Sequence, residues 1–322
     1  MRLGADHVRV RVPATSANLG PGFDSLGLAL GHHDELEVRT LGTDEVRVDV
    51  VGEGAGEVPS DERHLVVTAL RRGLDHVGAP RTGLHLSCTN RIPHGRGMGS
   101  SAAAVVSGLL AARGLVEDPE SLDDATVIAL ATELEGHPDN AAPAVYGGAT
   151  VAWTSPTSMT SMTSMTSSAT SAGTPRAARL VVHPDVETTV VVPVVRLATK
   201  TARGVLPATV PHGDAAFTAG RAALLVHALS SDPTLLLDAT EDRLHQGYRS
   251  SVMPSTWDLV KRLRDRGEAA TVSGAGPTVL VTGRRQDRAR LSAVLDELLD
   301  GTSGWAVLRP EIDRTGAVVE RL

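Results

Sequence analysis

Residues 92–112 read I-P-H-G-R-G-M-G-S-S-A-A-A-V-V-S-G-L-L-A-A, and the rest of the chain is organised around this stretch. Gly95, Gly97 and Gly99 alternate through a short loop, Ser100 and Ser101 follow, and a run of Ala, Val and Leu continues to Gly114. The pattern is a loop feeding a helix. Glycine adopts positive φ and lets the backbone approach a ligand closely, while the first helical turn leaves N–H groups without intrahelical partners. With the helix dipole added, loop and N-terminus make a cradle for phosphate, and Ser100 or Ser101 can offer a hydroxyl to a phosphate-bound Mg²⁺. A glycine turn capped by serine is the plainer reading of the loop alone. The Walker A spacing and its lysine are missing. The glycine spacing also fails the dinucleotide fingerprint, and no strand–helix–strand unit with a distal acid follows.

Upstream, residues 8–12 alternate Val with Arg as a half-exposed strand and enter P-A-T-S-A-N-L-G-P-G-F-D at 13–24. Its prolines and glycines exclude regular helix, so a loop can aim Asn18 and Asp24 into one cleft, or simply form Asx turns. Downstream, E-L-E-G-H-P-D-N gathers Glu133, Glu135, His137, Asp139 and Asn140 within eight residues beside backbone-bending Gly136 and Pro138. Three further phrases stand out: T-K-T-A-R-G-V-L-P at 199–207, L-H-Q-G-Y-R at 244–249 and S-G-A-G-P-T at 273–278. Lys200 is read as a surface cation.

Together these phrases resemble the GHMP kinases, and P-A-T-S-A-N-L-G-P-G-F-D and the H-P-D-N phrase resemble the homoserine kinase branch of that superfamily. The resemblance runs from Val8 to about Thr282 in motif order. It implies an α+β, two-domain GHMP kinase fold, with an N-terminal ribosomal protein S5 domain 2-like half and a C-terminal ferredoxin-like half. It further implies ATP-dependent phosphorylation of the side-chain hydroxyl of L-homoserine in threonine biosynthesis, with ATP and Mg²⁺ as cofactors. Pro93, Gly95, Arg96, Gly97, Met98, Gly99, Ser100, Ser101 and Ala102 are then the nucleotide loop, and Ser101 and Glu133 the Mg²⁺ ligands, with Glu135 a competitor for the metal. Asn18, Asp24, His137, Arg203 and Arg249 become substrate contacts, and Asp139, Asn140 and Arg203 the catalytic group. The chemistry is coherent: a carboxylate such as Asp24 suits an α-ammonium, and guanidinium matches a carboxylate in a planar, two-pronged way. Asn140 orienting the hydroxyl is an alternative to Asp139 acting as a base. The sequence departs from the family's usual Asn at His64 and at Thr218, so neither contact is carried over. Another small-molecule kinase of the superfamily and a non-catalytic metabolite-binding regulator are the rival readings. A homodimer is what the family implies.

Composition bounds the rest. The chain has 322 residues, a formal charge of −7 and 2% aromatics, so the core must be mostly Val, Leu and Ala and no global field attracts nucleic acid. One cysteine, Cys88, excludes an internal disulfide and is read as a buried, inert thiol. No signal pattern and no apolar run long enough to span a bilayer are seen, giving the expectation of a cytoplasmic protein without membrane contact. The domains are expected at 1–153 and 176–322, separated by a low-complexity insertion at 154–175 with three Met-Thr-Ser units. Having little to bury, that insertion is expected to be a disordered loop or hairpin.

Overall fold

The computed structural model describes residues 1–155 and 173–322. Alternating Val and Arg build its first strand. β1 (His7–Ala17) buries Val8, Val10 and Val12 and exposes Arg9 and Arg11. At Pro13/Ala14 its register against the next strand shifts, and beyond that irregularity every residue is buried. β2 (Leu26–Leu41) runs antiparallel to β1, and pairs by its first part with β5 (Ala149–Ser155) and by its second with β4 (Gly83–Asn90). β3 (Val46–Gly52) lies parallel to β4, β6 (Thr174–Leu180) continues from β5, and β11 (Val318–Arg321) closes on the free edge of β1. This makes a seven-stranded sheet.

Four helices accompany it: α1 (Leu65–His76), α2 (Ser100–Leu115), α3 (Asp124–Glu135) and α4 (Ala141–Tyr146). α2 is buried nearly all round and packs on α1, α3 and β1, as its unbroken Ala/Val/Leu run requires. Contact with α1 is closest at Gly108, where an added Cβ would lie 2.4 Å from the Val66 carbonyl oxygen. The start of α3 is set by local chemistry: the Asp123 side chain accepts from Thr126 N and caps the helix at Asp124.

The second half contains β7 (Val186–Pro193), α5 (Thr199–Gly204), α6 (His212–Ser230), α7 (Leu236–Ala239), α8 (Gln246–Arg249), α9 (Pro254–Asp265), β8 (Ala269–Val272), β9 (Val279–Arg284), α10 (Arg288–Leu299) and β10 (Trp305–Leu308). Its four strands stand antiparallel in the order β10-β7-β9-β8, the expected ferredoxin-like arrangement. Apolar residues of α9 and α10, including Leu263 and Leu295, join Val272 and Val281 in its core.

Two boundaries differ from expectation. Thr154 and Ser155 pair with Pro175 and Thr174, so both ends of the expected insertion are strand, and its Met-Thr-Ser units lie outside the described residues. Residues 176–180 and β11 belong to the first sheet, so neither end of the expected 176–322 domain respects the division. A short strand such as V-V-E-R carries too little pattern to show which sheet it will join. Among the described residues, no helix is long and apolar enough to cross a membrane.

Replacing Gly108 by Ala tests the α1–α2 contact. Helix propensity favours Ala by about 1 kcal/mol, but a Cβ at 2.4 Å from backbone oxygen forces the helices apart, a strain of about 1–3 kcal/mol. Denaturant unfolding is expected to show net destabilisation; a Gly108→Ala protein more stable than the parent contradicts the packing.

Candidate active site

Gly95, Gly97 and Gly99 have φ of 65°, 76° and 70°, the left-handed region that glycine alone enters freely. Space demands glycine as well: a Cβ on Gly97 would lie 2.3 Å from Ser273 O, and one on Gly99 2.0 Å from Thr15 Oγ1. The loop is held on both sides. Thr15 N donates to Met98 O and Thr278 N to Arg96 O. The Ser273 hydroxyl donates to Gly97 O at 2.6 Å. Three stretches far apart in sequence, the end of β1, the glycine loop and the β8–β9 turn, thus lock together around the start of α2.

Beside them lies a cleft of about 330 Å³ whose lining includes the loop glycines, Ser100, Ser101, Glu135, His137, Arg203 and Arg249. Not every loop residue faces it. The Met98 side chain is in the core, Arg96 turns away to Glu53 and Val194 O, and Pro93 lines neither this cleft nor its neighbour. Met98 and Arg96 can therefore serve a nucleotide only through backbone. Ala102 lines the cleft although it is almost wholly buried.

The two residues expected as metal ligands, Ser101 and Glu133, do not meet. Ser101 Oγ donates to Glu135 Oε1 at 2.6 Å, while Glu133 is ion-paired to Arg72 at 2.7 Å. Positions two apart on a helix point about 200° from each other, so only one of these acids can meet Ser101, and the last turn of α3 presents Glu135. Among the described residues no group of three or more His, Cys, Asp or Glu is placed to hold a metal ion. A hydroxyl with one carboxylate suits Mg²⁺, which keeps waters and takes its remaining oxygens from phosphates.

Beyond α3, Asp139 is 2% exposed. Its Oδ1 lies 2.7 Å from His137 Nδ1 and accepts from Asn140 Nδ2 at 3.3 Å. Asn140 Oδ1 accepts from Thr15 Oγ1 at 2.8 Å, which ties this knot to β1 beneath Gly99. The bond to Asp139 holds the His137 pKa above its ordinary value against the opposing effect of burial.

In the turn between β1 and β2, Asn18, Leu19 and Asp24 adopt positive φ, and the Asn18 side chain holds that turn: its Nδ2 donates to Gly274 O and its Oδ1 accepts from Asp24 N. Asn18 lines the cleft but its amide already has a partner at each end. Asp24 and Arg203 are paired to each other through two bonds, at 2.6 and 3.1 Å. Arg249 is 1% exposed, with Nε donating to Ala202 O and Nη1 reaching Gly274 O and His245 Nδ1. No carboxylate among the described residues lies within 4.0 Å of it. Burial and neighbouring Arg203 lower its pKa from the ordinary arginine value. A buried guanidinium lacking an acid is costly unless an anion arrives.

A second cavity of about 320 Å³ continues from Ser100 and Ser101 between α1, α2 and the 58–65 segment. Val58, Pro59, Leu65 and Ala104 give it apolar walls, and His64, Asn90 and His94 supply polar edges. His64 also accepts from Val66 N as the cap of α1, and burial lowers its pKa. Cys88 backs this cavity with its thiol pushed up to about 12, the inert state read from sequence. Thr218 is buried and accepts from Arg243 N, away from the cleft. Sequence reasoning missed Thr15, Ser273 and His245; short polar residues inside apolar runs carry no signal until the fold brings their partners.

Comparison with known proteins agrees with this geometry. The GHMP kinases N terminal domain model matches residues 64–148 and the GHMP kinases C terminal model matches residues 222–300. The chain is 49% identical to the homoserine kinase of Clavibacter michiganensis subsp. michiganensis over 97% of its own length and 94% of that protein. It is 48% identical to that of Streptomyces coelicolor over the same shares, 97% and 94%. The crystal structure of homoserine kinase from Cytophaga hutchinsonii superposes with a TM-score of 0.79 at 26% identity, covering 98% of each chain.

The His137–Asp139 bond makes a pH-dependent contribution. A histidine whose folded pKa is raised stabilises the fold fully below its unfolded value of about 6.5, and the contribution is lost as pH rises through the folded value. NMR titration of Asp139→Asn is expected to return the His137 pKa downward and to remove this component. An unchanged His137 titration excludes Asp139 as its cause.

Proposed function

The chain belongs to the GHMP kinase family, and from that premise we propose that its cleft transfers the γ-phosphoryl group of ATP to the side-chain hydroxyl of L-homoserine, giving O-phospho-L-homoserine for threonine biosynthesis. The structural observation that carries the substrate reading is Arg249, a buried guanidinium at the cleft with no carboxylate partner among the described residues, together with the Asp24–Arg203 pair whose guanidinium shares the Phe23 ring with it. A zwitterion matches this wall. Its carboxylate takes the open guanidinium edge of Arg249 and joins Arg203, while its ammonium takes Asp24. Binding thereby exchanges one protein ion pair for contacts to both ends of the amino acid.

The nucleotide fits the continuous surface on the other side of the loop. Backbone N–H groups of the glycine loop and the first turn of α2 hold phosphates, and the cavity behind Ser100 and His64 has the size and apolar walls for a purine base. When bound, Mg²⁺ supplies a Lewis acid for the phosphate oxygens, and Ser101 with Glu135 are the residues that would hold it. Asn140 and His137 line the cleft between the two substrates and orient the hydroxyl. Asp139, whose Oδ1 they both engage, is the acid placed to receive its proton. Phosphoryl transfer depends chiefly on positioning and electrostatic stabilisation, so these contacts outweigh the strength of the base.

Two measurements test the reading. ADP release with Mg-ATP is expected for L-homoserine and not for mevalonate, galactose, L-serine or L-threonine, and Arg203→Ala is expected to weaken homoserine by about 2–5 kcal/mol with the ATP requirement unchanged. Turnover confined to mevalonate or a sugar discards the substrate, and silence on all substrates with ATP bound favours a regulator. For the metal, Glu135→Gln is expected to raise the Mg²⁺ requirement about 10-fold or more, while Glu133→Gln stays near the parent; the reverse result restores Glu133.

A further inference from the structure

We infer that His245 is a positioning residue for substrate recognition: as the neutral Nε2–H tautomer it bridges Gly20 O and Arg249, and so fixes which edge of the Arg249 guanidinium is left for the substrate carboxylate. The inference deepens the reading of Arg249 as the carboxylate anchor and rests on it.

The tautomer follows from donor counting. Arginine donates only, so His245 Nδ1, 2.9 Å from Arg249 Nη1, must be the acceptor. The proton is then on Nε2, which donates to Gly20 O at 2.7 Å. Asp242 Oδ2 is 3.7 Å from the same nitrogen but accepts from the backbone N–H groups of His245 and Gln246, so it is committed to the turn that opens α8. His245 is 0% exposed and stacks on Phe23 with ring centroids 5.1 Å apart. The charged groups around it are Asp242 on its own turn, Arg249 on α8 and Asp24 on the turn that contains Gly20, and burial keeps its pKa below the ordinary histidine value.

The same counting applies to Arg249. Nε–H goes to Ala202 O, and the two hydrogens of Nη1 go to Gly274 O and His245 Nδ1. Only Nη2 has no hydrogen-bond partner among the described residues, and Arg249 lines the cleft. Three tethers therefore hold the guanidinium plane, two of them backbone carbonyls that side-chain substitution cannot remove. His245 is the remaining one. It also links the anchor to Gly20, on the turn that carries Asp24, so the groups assigned to the two ends of the amino acid share one rigid frame.

Steady-state kinetics on His245→Gln, His245→Asn, Arg249→Ala and the His245→Gln/Arg249→Ala double variant separate the possibilities. Gln carries its amide out to the Nε2 position, giving a donor for Gly20 and no acceptor at the Nδ1 position; Asn keeps an acceptor near the Nδ1 position. His245→Gln is expected to raise the KM for homoserine about 10-fold or more, with the KM for ATP and kcat near the parent, and to leave the KM for 3-aminopropan-1-ol, which lacks the carboxylate, unchanged. His245→Asn should stay within about threefold of the parent. In the Arg249→Ala background, His245→Gln should add nothing. A normal homoserine KM in His245→Gln, an equal rise for ATP, or full additivity with Arg249→Ala overturns the role of His245. A normal homoserine KM in Arg249→Ala overturns the anchor itself. Should His245→Gln fail to fold, a 10-fold or larger rise in His245→Asn, where the acceptor is kept, overturns the tether (about 1.4 kcal/mol).

Discussion

A glycine backbone with no room for a side chain governs this molecule. At Gly97 the loop passes between Ser273 O and Gly276 O, both under 3 Å from any Cβ that could be placed there. That confinement lets one hydroxyl, Ser273, tie the loop to the second half of the chain, while Thr15 ties it to the first. The loop is therefore held from both halves of the chain. The price of such a loop is its intolerance of substitution, and its benefit is a set of N–H groups already aimed.

Charge is distributed to match an amino acid. Each half of the cleft wall carries a different solution to burying charge: Asp24 and Arg203 neutralise one another, whereas Arg249 is supported by carbonyls, a neutral imidazole and the face of Phe23 at 5.5 Å. Carbonyl dipoles soften a buried cation without cancelling it, so affinity for an anion remains. Gly274 O sits at the centre, accepting from both Asn18 and Arg249. The β8–β9 turn thus holds the glycine loop, the Asn18–Asp24 turn and Arg249 together.

Much of this was legible in the sequence. The glycine loop, the helix after it, the Asn18–Asp24 turn, the acid knot at 133–140 and the arginines at 203 and 249 are all local signals, because residue type and spacing within a few positions dictate turns, caps and candidate ligands. The fold class followed from the same phrases taken in order. What local spacing could not decide was direction. Glu133 and Glu135 are equivalent as letters, and only the phase of the last turn of α3, set by packing of its buried face, sends one to Ser101 and the other to Arg72.

By itself, then, the sequence determined the glycine loop and the helix after it, the two-part α+β architecture and the inventory of charged groups, since these depend on residue type and on periods of two to four residues. Tertiary structure alone decided which of those groups meet: Met98 buried and Arg96 turned away, Asn18 engaged by backbone, β11 returned to β1, and His245 placed between Gly20 and Arg249. The physical reason is range. Those pairings join residues 4 to 313 positions apart, and they are selected by packing and by the cost of leaving buried polar groups unpaired.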